Sequence, residues 1–351
     1  MMGLGDALGA PVEFSAERLG WIDCLRPFTG SVGPHGPWVT PAPLGTGTDD
    51  VRYAWLFMEL ACRLQGMPTA RQLARHFIEV YEDPDAFFPH NQALAREQFA
   101  MWEGVSCGCL GRESLQYPGV SPAALATRSV GLNYPTIAGM LALPLAGLLF
   151  VGQPERAYSA AYEAAFFDLA YAREATALLA AAQSLAADGV APNDIVERTL
   201  ALDPLQLGGY FGEPFVVANL PLLLQKARGK QGPQLAQWLA FELRHFHVFD
   251  PYRTLAIAFS ALLAHGDDPL GALQVAVNQA DLDGAGGWRR YADVDCYASI
   301  AGGLLGAVYG TDPVPSESAR QVIESNRIVY GFDLEESAAR FAALAVTAAS
   351  N

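Results

Sequence analysis

The chain has 351 residues, 51% of them hydrophobic and 17% charged, and a formal net charge of -15. That composition supplies a large apolar core and excludes long disorder. An acidic chain whose basic residues never run longer than a pair also excludes a nucleic-acid backbone as partner.

In chain order, the opening MMGLGDALGAP has no basic stretch and reaches an acid at Asp6, so no secretory signal is expected. The stretch Gly5-Asp6-Ala7-Leu8-Gly9-Ala10-Pro11-Val12-Glu13-Phe14 combines glycines that permit close helix approach with an acid, Glu13, between apolar neighbours. Residues Pro27 to Gly45, rich in Gly and Pro, read as a loop. Helical spacing of apolar residues then covers Ala54 to Leu64, Ala70 to Val80 behind Thr69, and Ala93 to Trp102, before a second loop from Ser106 to Ser121.

The most apolar run, Gly139 to Gly152, holds 14 residues with Pro144 inside, too short to cross a membrane. Tyr158 to Ala187 reads as one long helical run, and Pro192 with Asn193 as a helix start. Further helical runs are Leu235 to Phe246, Leu255 to Ala264, Gly271 to Asn278, Ala298 to Tyr309, Ser316 to Asn326, and Leu334 to Val346 behind Asp333; Asp281 to Arg290 is a third loop. Strand-like alternation is nearly absent and no linker of biased composition divides the chain. The expectation is an all-α, compact helical bundle of roughly a dozen helices, a single domain over residues 1–351.

Two aspartate pairs stand at helix starts: Thr48-Asp49-Asp50 before the run from Val51, and Asp293-Val294-Asp295-Cys296 before the small-residue run from Ala298. Each alone reads as helix capping, because a side-chain oxygen there accepts from free backbone N–H groups. Two starts that each carry two carboxylates repel one another when packed together unless a cation lies between them. Hard oxygen donors at that density suit Mg²⁺ or Mn²⁺, and a bound dication also admits an anionic substrate to an acidic surface.

Taken together and in order, the Gly5 to Phe14 stretch, Thr48-Asp49-Asp50, and Asp293-x-Asp295 ahead of Ile300-Ala301-Gly302 resemble the ADP-ribosylglycohydrolase family across almost the whole chain. The resemblance implies an orthogonal all-α bundle and a centre of two Mg²⁺ or Mn²⁺ ions that cleaves ADP-ribose from a modified acceptor or a related glycoside. On that resemblance Thr48, Asp49, Asp50, Asp293, Asp295 and Cys296 are the metal residues. Glu13 and Asp49 are the catalytic acids that handle the proton.

The departures are specific. Cys296 stands where relatives carry Thr or Ser, and Val51 where they carry Thr. A Gly-Asn-Gly phosphate loop is replaced by Gly131 to Met140, which leaves Asn133 and Tyr134 as candidate substrate contacts. A His-containing motif is replaced by Phe166 to Arg173, which leaves Asp168 as a third candidate, with a buried structural acid as its alternative. A second pair, Asp281 and Asp283, precedes the preferred Asp293 and Asp295 across an inserted Gly-rich stretch expected to reshape one wall of the cleft.

His245 and His247 read as structural or rim residues, and Cys107-Gly-Cys109 has no second pair for zinc. Five cysteines at irregular spacing fit a reduced cytoplasmic location. The expected function is metal-dependent hydrolysis of an N- or O-glycosidic bond to ribose, acting on a small molecule or an ADP-ribosylated substrate, without nucleic acid or membrane. The alternative is a non-catalytic relative that binds a nucleotide-like or other glycoside metabolite.

Overall fold

The computed structural model describes residues 1–130, 133–208 and 212–349; Gly131 and Leu132 of the substituted phosphate loop lie outside them. Fourteen helices of eight residues or more run through the described residues. They are α1 (Met2–Gly9), α2 (Asp49–Leu64), α3 (Ala70–Glu82), α4 (Gln92–Leu110), α5 (Pro154–Ala164), α6 (Tyr171–Ala187) and α7 (Pro192–Leu200). Then come α8 (Phe215–Ala227), α9 (Gly232–Glu242), α10 (Pro251–Ala264), α11 (Pro269–Val277), α12 (Val294–Tyr309), α13 (Ser316–Tyr330) and α14 (Leu334–Ala349). The only paired strands among the described residues, β1 (Ala280–Leu282) and β2 (Trp288–Tyr291), form one antiparallel hairpin.

Local chemistry explains many of the boundaries. Thr69 and Gln72 form a reciprocal capping box on α3. The Asp250 carboxylate accepts from the N–H groups of Tyr252 and Arg253 at the start of α10, and Asp333 accepts from Glu336 N–H at 3.0 Å at the start of α14.

Two segments differ from the sequence expectation. Tyr158 to Ala187 is two helices, broken where Ala170 takes φ 49° and the Asp168 carboxylate turns inward. The Asp281 to Arg290 stretch is the hairpin, because Asp281 pairs with Arg290 across the strands and Asp283 Oδ1 accepts from Ala285 and Gly287 N–H to make the turn.

The middle of the core is α12, packed against α1, α6, α10 and α11. It is approached most closely by α1, where a Cβ at Gly5 would stand 2.0 Å from Ala298 O and one at Gly9 2.3 Å from Asp295 Cα. Side by side with it, α6 buries every residue from Glu174 to Ala186. Each fully buried leucine there, Leu178, Leu179 and Leu185, contributes about 1.5–3 kcal/mol by leaving water. This packing holds the N-termini of α2 and α12 side by side. Among the described residues no helix is long and apolar enough to cross a membrane.

Candidate metal centre

The caps of α2 and α12 decide what their acids are free to do. Thr48 occupies the N-cap of α2 but makes no side-chain cap. The cap comes from α1: the buried Asp6 carboxylate accepts Thr48 N–H at 2.9 Å on each oxygen and Val51 N–H at 3.1 Å. Thr48 Oγ1 instead donates to Asp295 Oδ2 at 3.2 Å. Asp293 at the N-cap of α12 likewise makes no side-chain cap bond. Neither aspartate pair therefore caps its helix through a side chain, and the carboxylates of Asp50, Asp293 and Asp295 come together between the helices.

Two sets of donor atoms result, each with its atoms within 4.8 Å of one another: Glu13, Asp293 and Asp295; and Asp50, Asp295 and Cys296. Asp295 belongs to both. Cys296 Sγ donates to Asp50 Oδ1 at 3.3 Å, while Asp50 Oδ2, Asp293 Oδ2 and Asp295 Oδ1 are buried without a hydrogen-bond partner. At an effective dielectric of about 20, two full charges at such spacing repel by about 3.5 kcal/mol, and a triad by about 10. That equals a typical net folding stability, so the triad does not ionise fully without a cation.

Protons relieve the repulsion instead. Burial, then the charges of Asp295, Asp293 and Asp49, push Glu13 well above the usual carboxylate range. Burial also raises Asp293, to about 7, held back by its interaction with Glu13. Burial and neighbouring acids push Asp50 and Asp295 well up, and the Cys296 thiol with them. Asp6 rises to about 6 by burial, held back by the Thr48 bonds.

Asp49 lies outside both sets. Its Oδ2 is 3.3 Å from His35 Nδ1, and its N–H donates to His35 O at 2.9 Å. Burial depresses the His35 imidazole, but the bond and charge of Asp49 outweigh it and leave it raised. Arg52, fully buried one turn along α2, clamps this loop by donating to Pro34 O, His35 O, Gly36 O, Gln98 Oε1 and Tyr330 Oη. Its guanidinium also lies 4.3 Å from the Trp38 ring centre and 4.9 Å from that of Tyr330. Sequence reasoning missed both residues. His35 sits in a Gly/Pro-rich loop with no motif around it, and Arg52 looks like an exposed helix charge.

Aromatic rings continue from Glu13. Phe14, at φ 52°, meets Phe249 edge to face at 5.8 Å; Phe249 meets His247 at 5.2 Å, and His247 meets Tyr134 at 4.9 Å. Arg290 stacks 4.7 Å from the Phe14 ring centre and pairs with Asp281 at 3.0 Å. Tyr291 N–H donates to Ser15 O at 2.9 Å, which registers the segment carrying Glu13 against the one that leads into Asp293. The Tyr134 phenol is pushed up by burial and then by the charge of Asp293, which places it within electrostatic reach of the acids.

Of the candidates read from sequence, Glu13, Thr48, Asp50, Asp293, Asp295 and Cys296 converge. Asp49 borders them and Tyr134 joins the ring chain. Asn133 Oδ1 is taken up by the Arg128 guanidinium. Asp168 is 2% exposed, and its carboxylate accepts Gly139 N–H at 3.0 Å and Thr176 Oγ1 at 2.7 Å, the bonding of a structural acid. A cleft of about 530 Å³ beside Trp21, Phe241 and Trp288 has no acid in its lining and offers no comparable chemistry.

Fold and site together define an all-α protein whose acids, from both ends of the chain, are gathered at the starts of two helices. The chain belongs to the ADP-ribosylglycohydrolase family, whose model matches residues 2–350. A solved structure described as an ADP-ribosylglycohydrolase-related protein complex superposes with a TM-score of 0.61 at 20% identity, over 99% of this chain and 95% of that one, a likeness of fold. A comparison with curated proteins finds no match. The family typically binds divalent metals, and the donors here fit them: buried oxygens without partners, in sets small enough to surround one ion each.

Proposed function

We propose that this protein is a metal-dependent hydrolase of an N- or O-glycosidic bond to ribose, with ADP-ribose conjugates as its substrate class. The observation that carries the reading is the pair of donor sets sharing Asp295, with partnerless carboxylate oxygens in both. Bound Mg²⁺ or Mn²⁺ would supply orientation of ribose hydroxyls, a lowered pKa for a bound water and stabilisation of charge at the anomeric carbon.

The chain's own residues do the rest. Asp50 and Asp295, with Cys296, would hold one position; Asp293 and Asp295 would hold the other, with Glu13 at its edge. Thr48 fixes Asp295 through its hydroxyl. Glu13, beside the donor atoms of Asp293 and Asp295, is placed to pass a proton to the leaving group. Asp49, oriented by His35, accepts the proton of the attacking water at the edge of the cluster. The rings of Phe14, Phe249, His247 and Tyr134 offer a surface for the sugar or base, and Arg290 a cation for an anionic group beside it.

A second reading, a relative that binds such a metabolite without turnover, draws on Cys296 and on the apolar Val51 beside the site. The test of both is release of ADP-ribose from arginine- and serine-linked conjugates by chelator-treated protein, with and without added Mg²⁺ or Mn²⁺. Metal-dependent release supports hydrolysis. ADP-ribose binding with no release, together with weak or no metal binding, supports the second reading, and absence of both release and ADP-ribose binding overturns both.

A further inference from the structure

We infer that the two metal positions differ in kind: the one bounded by Asp50, Asp295 and Cys296 takes a thiophilic dication of the Zn²⁺ class, and the all-carboxylate one takes a hard dication. The inference rests on the metal-centre reading above and adds the identity of the ion at one position.

Sulfur is a built part of this set. Cys296 lies in the first turn of α12, is 8% exposed, and directs Sγ at Asp50 Oδ1, 3.3 Å away. Asp50 is 0% exposed and Asp295 1%, yet Asp50 Oδ2 and Asp295 Oδ1 have no partner, so the set is not satisfied from within. Magnesium demands oxygen donors in near-octahedral array and gains little from sulfur, whereas a thiolate binds Zn²⁺ strongly at about 2.3 Å. The other set, Glu13, Asp293 and Asp295, offers oxygen alone.

Charge and atoms balance. The S–H bond breaks as the metal–sulfur bond forms, its proton and those held by the carboxyls of the metal-free set leave to solvent, and no electron changes hands. Two carboxylates and one thiolate then surround one ion, the Asp295 carboxylate being shared with the other set. Asp295 has an oxygen for each.

The experiment is a Cd²⁺ titration of chelator-stripped protein, followed by the ultraviolet thiolate-to-metal charge-transfer band, with Zn²⁺ and Mg²⁺ as competitors. One equivalent of Cd²⁺ should develop the band, Zn²⁺ should displace it, and Mg²⁺ at about a hundredfold excess should not. Cys296→Ser should lack the band, bind Zn²⁺ at least about tenfold more weakly and gain Mg²⁺ affinity, while Cys24→Ser keeps the band. Should Cys296→Ser fail to fold by circular dichroism, Asp50→Asn, which retains the thiol, should lose tight Cd²⁺ binding. A band that is absent, that survives in Cys296→Ser, or that Mg²⁺ displaces as readily as Zn²⁺ overturns the inference. If Mn²⁺ still binds in that case, the metal centre itself stands; if no dication binds, the metal-centre reading falls with the inference.

Discussion

Gly9→Ala tests how the crossing of α1 and α12 supports the centre. A Cβ at Gly9 would stand 2.3 Å from both the N and the Cα of Asp295 and 2.6 Å from Val294 C, where ordinary contact begins at 3.4 Å. All three are backbone atoms at the start of α12, so no side chain can swing aside and the helices must part by about 1 Å. That parts Asp6 and Glu13, carried by and just beyond α1, from Asp295. Overpacking of this kind costs about 1–3 kcal/mol, and an ångström of misplacement in a reacting constellation costs on the order of a hundredfold in rate. Gly20→Ala, where nothing lies within 4 Å, is the control. Thermal unfolding and calorimetric Mn²⁺ titration should show Gly9→Ala impaired in both and Gly20→Ala in neither. Equal behaviour of the two variants would refute the argument that this close crossing sets the geometry.

Asp295→Asn, which removes the carboxylate common to both donor sets, should abolish metal binding and ADP-ribose release. Stripped of metal and at a pH high enough to ionise the cluster, it should unfold at a higher temperature than the parent, because it removes the like-charge repulsion that protons otherwise relieve; an unchanged or lower transition there counts against the repulsion. Metal-free stability should also depend on pH. Asp6 at about 6, and Asp168 and Asp293 at about 7, lie above their unfolded values. The folded state therefore binds more protons, and their contribution, full below about pH 4, is lost as pH rises through 6 to 7. A melting temperature that climbs between pH 5 and 8 in chelator would contradict this. Arg52→Met should free the loop that carries His35 by removing its clamp, at about 2–4 kcal/mol; limited proteolysis should then cut between Pro27 and Gly45, where the parent resists.

Much of the helical plan is legible along the chain, because amphipathic spacing and caps are local. Thr69 with Gln72, Pro192 and Asp333 mark starts that the fold keeps. The spacing of the long run from Tyr158 cannot reveal its break, since the Asp168 turn is held by Gly139, 29 residues earlier. Likewise α8 is hidden by Pro221, which the structure tolerates inside the helix at an exposed position. The hairpin escapes notice because its pairing depends on Arg290 reaching Asp281 across a Gly-rich turn.

The acids of the centre could be named from sequence, since two carboxylates at each of two helix starts, read with the Gly5 to Phe14 stretch, carry the family resemblance. Whether they cap their helices or face one another could not. That was decided by Asp6, 42 residues before Thr48, which takes over the cap of α2 and leaves Thr48 free to reach Asp295 from 247 residues away. His35, Arg52 and the rings from Phe14 to Tyr134 belong to the site for the same reason. Their roles come from long-range packing around α12, and no local spacing encodes which distant side chain meets a given backbone group.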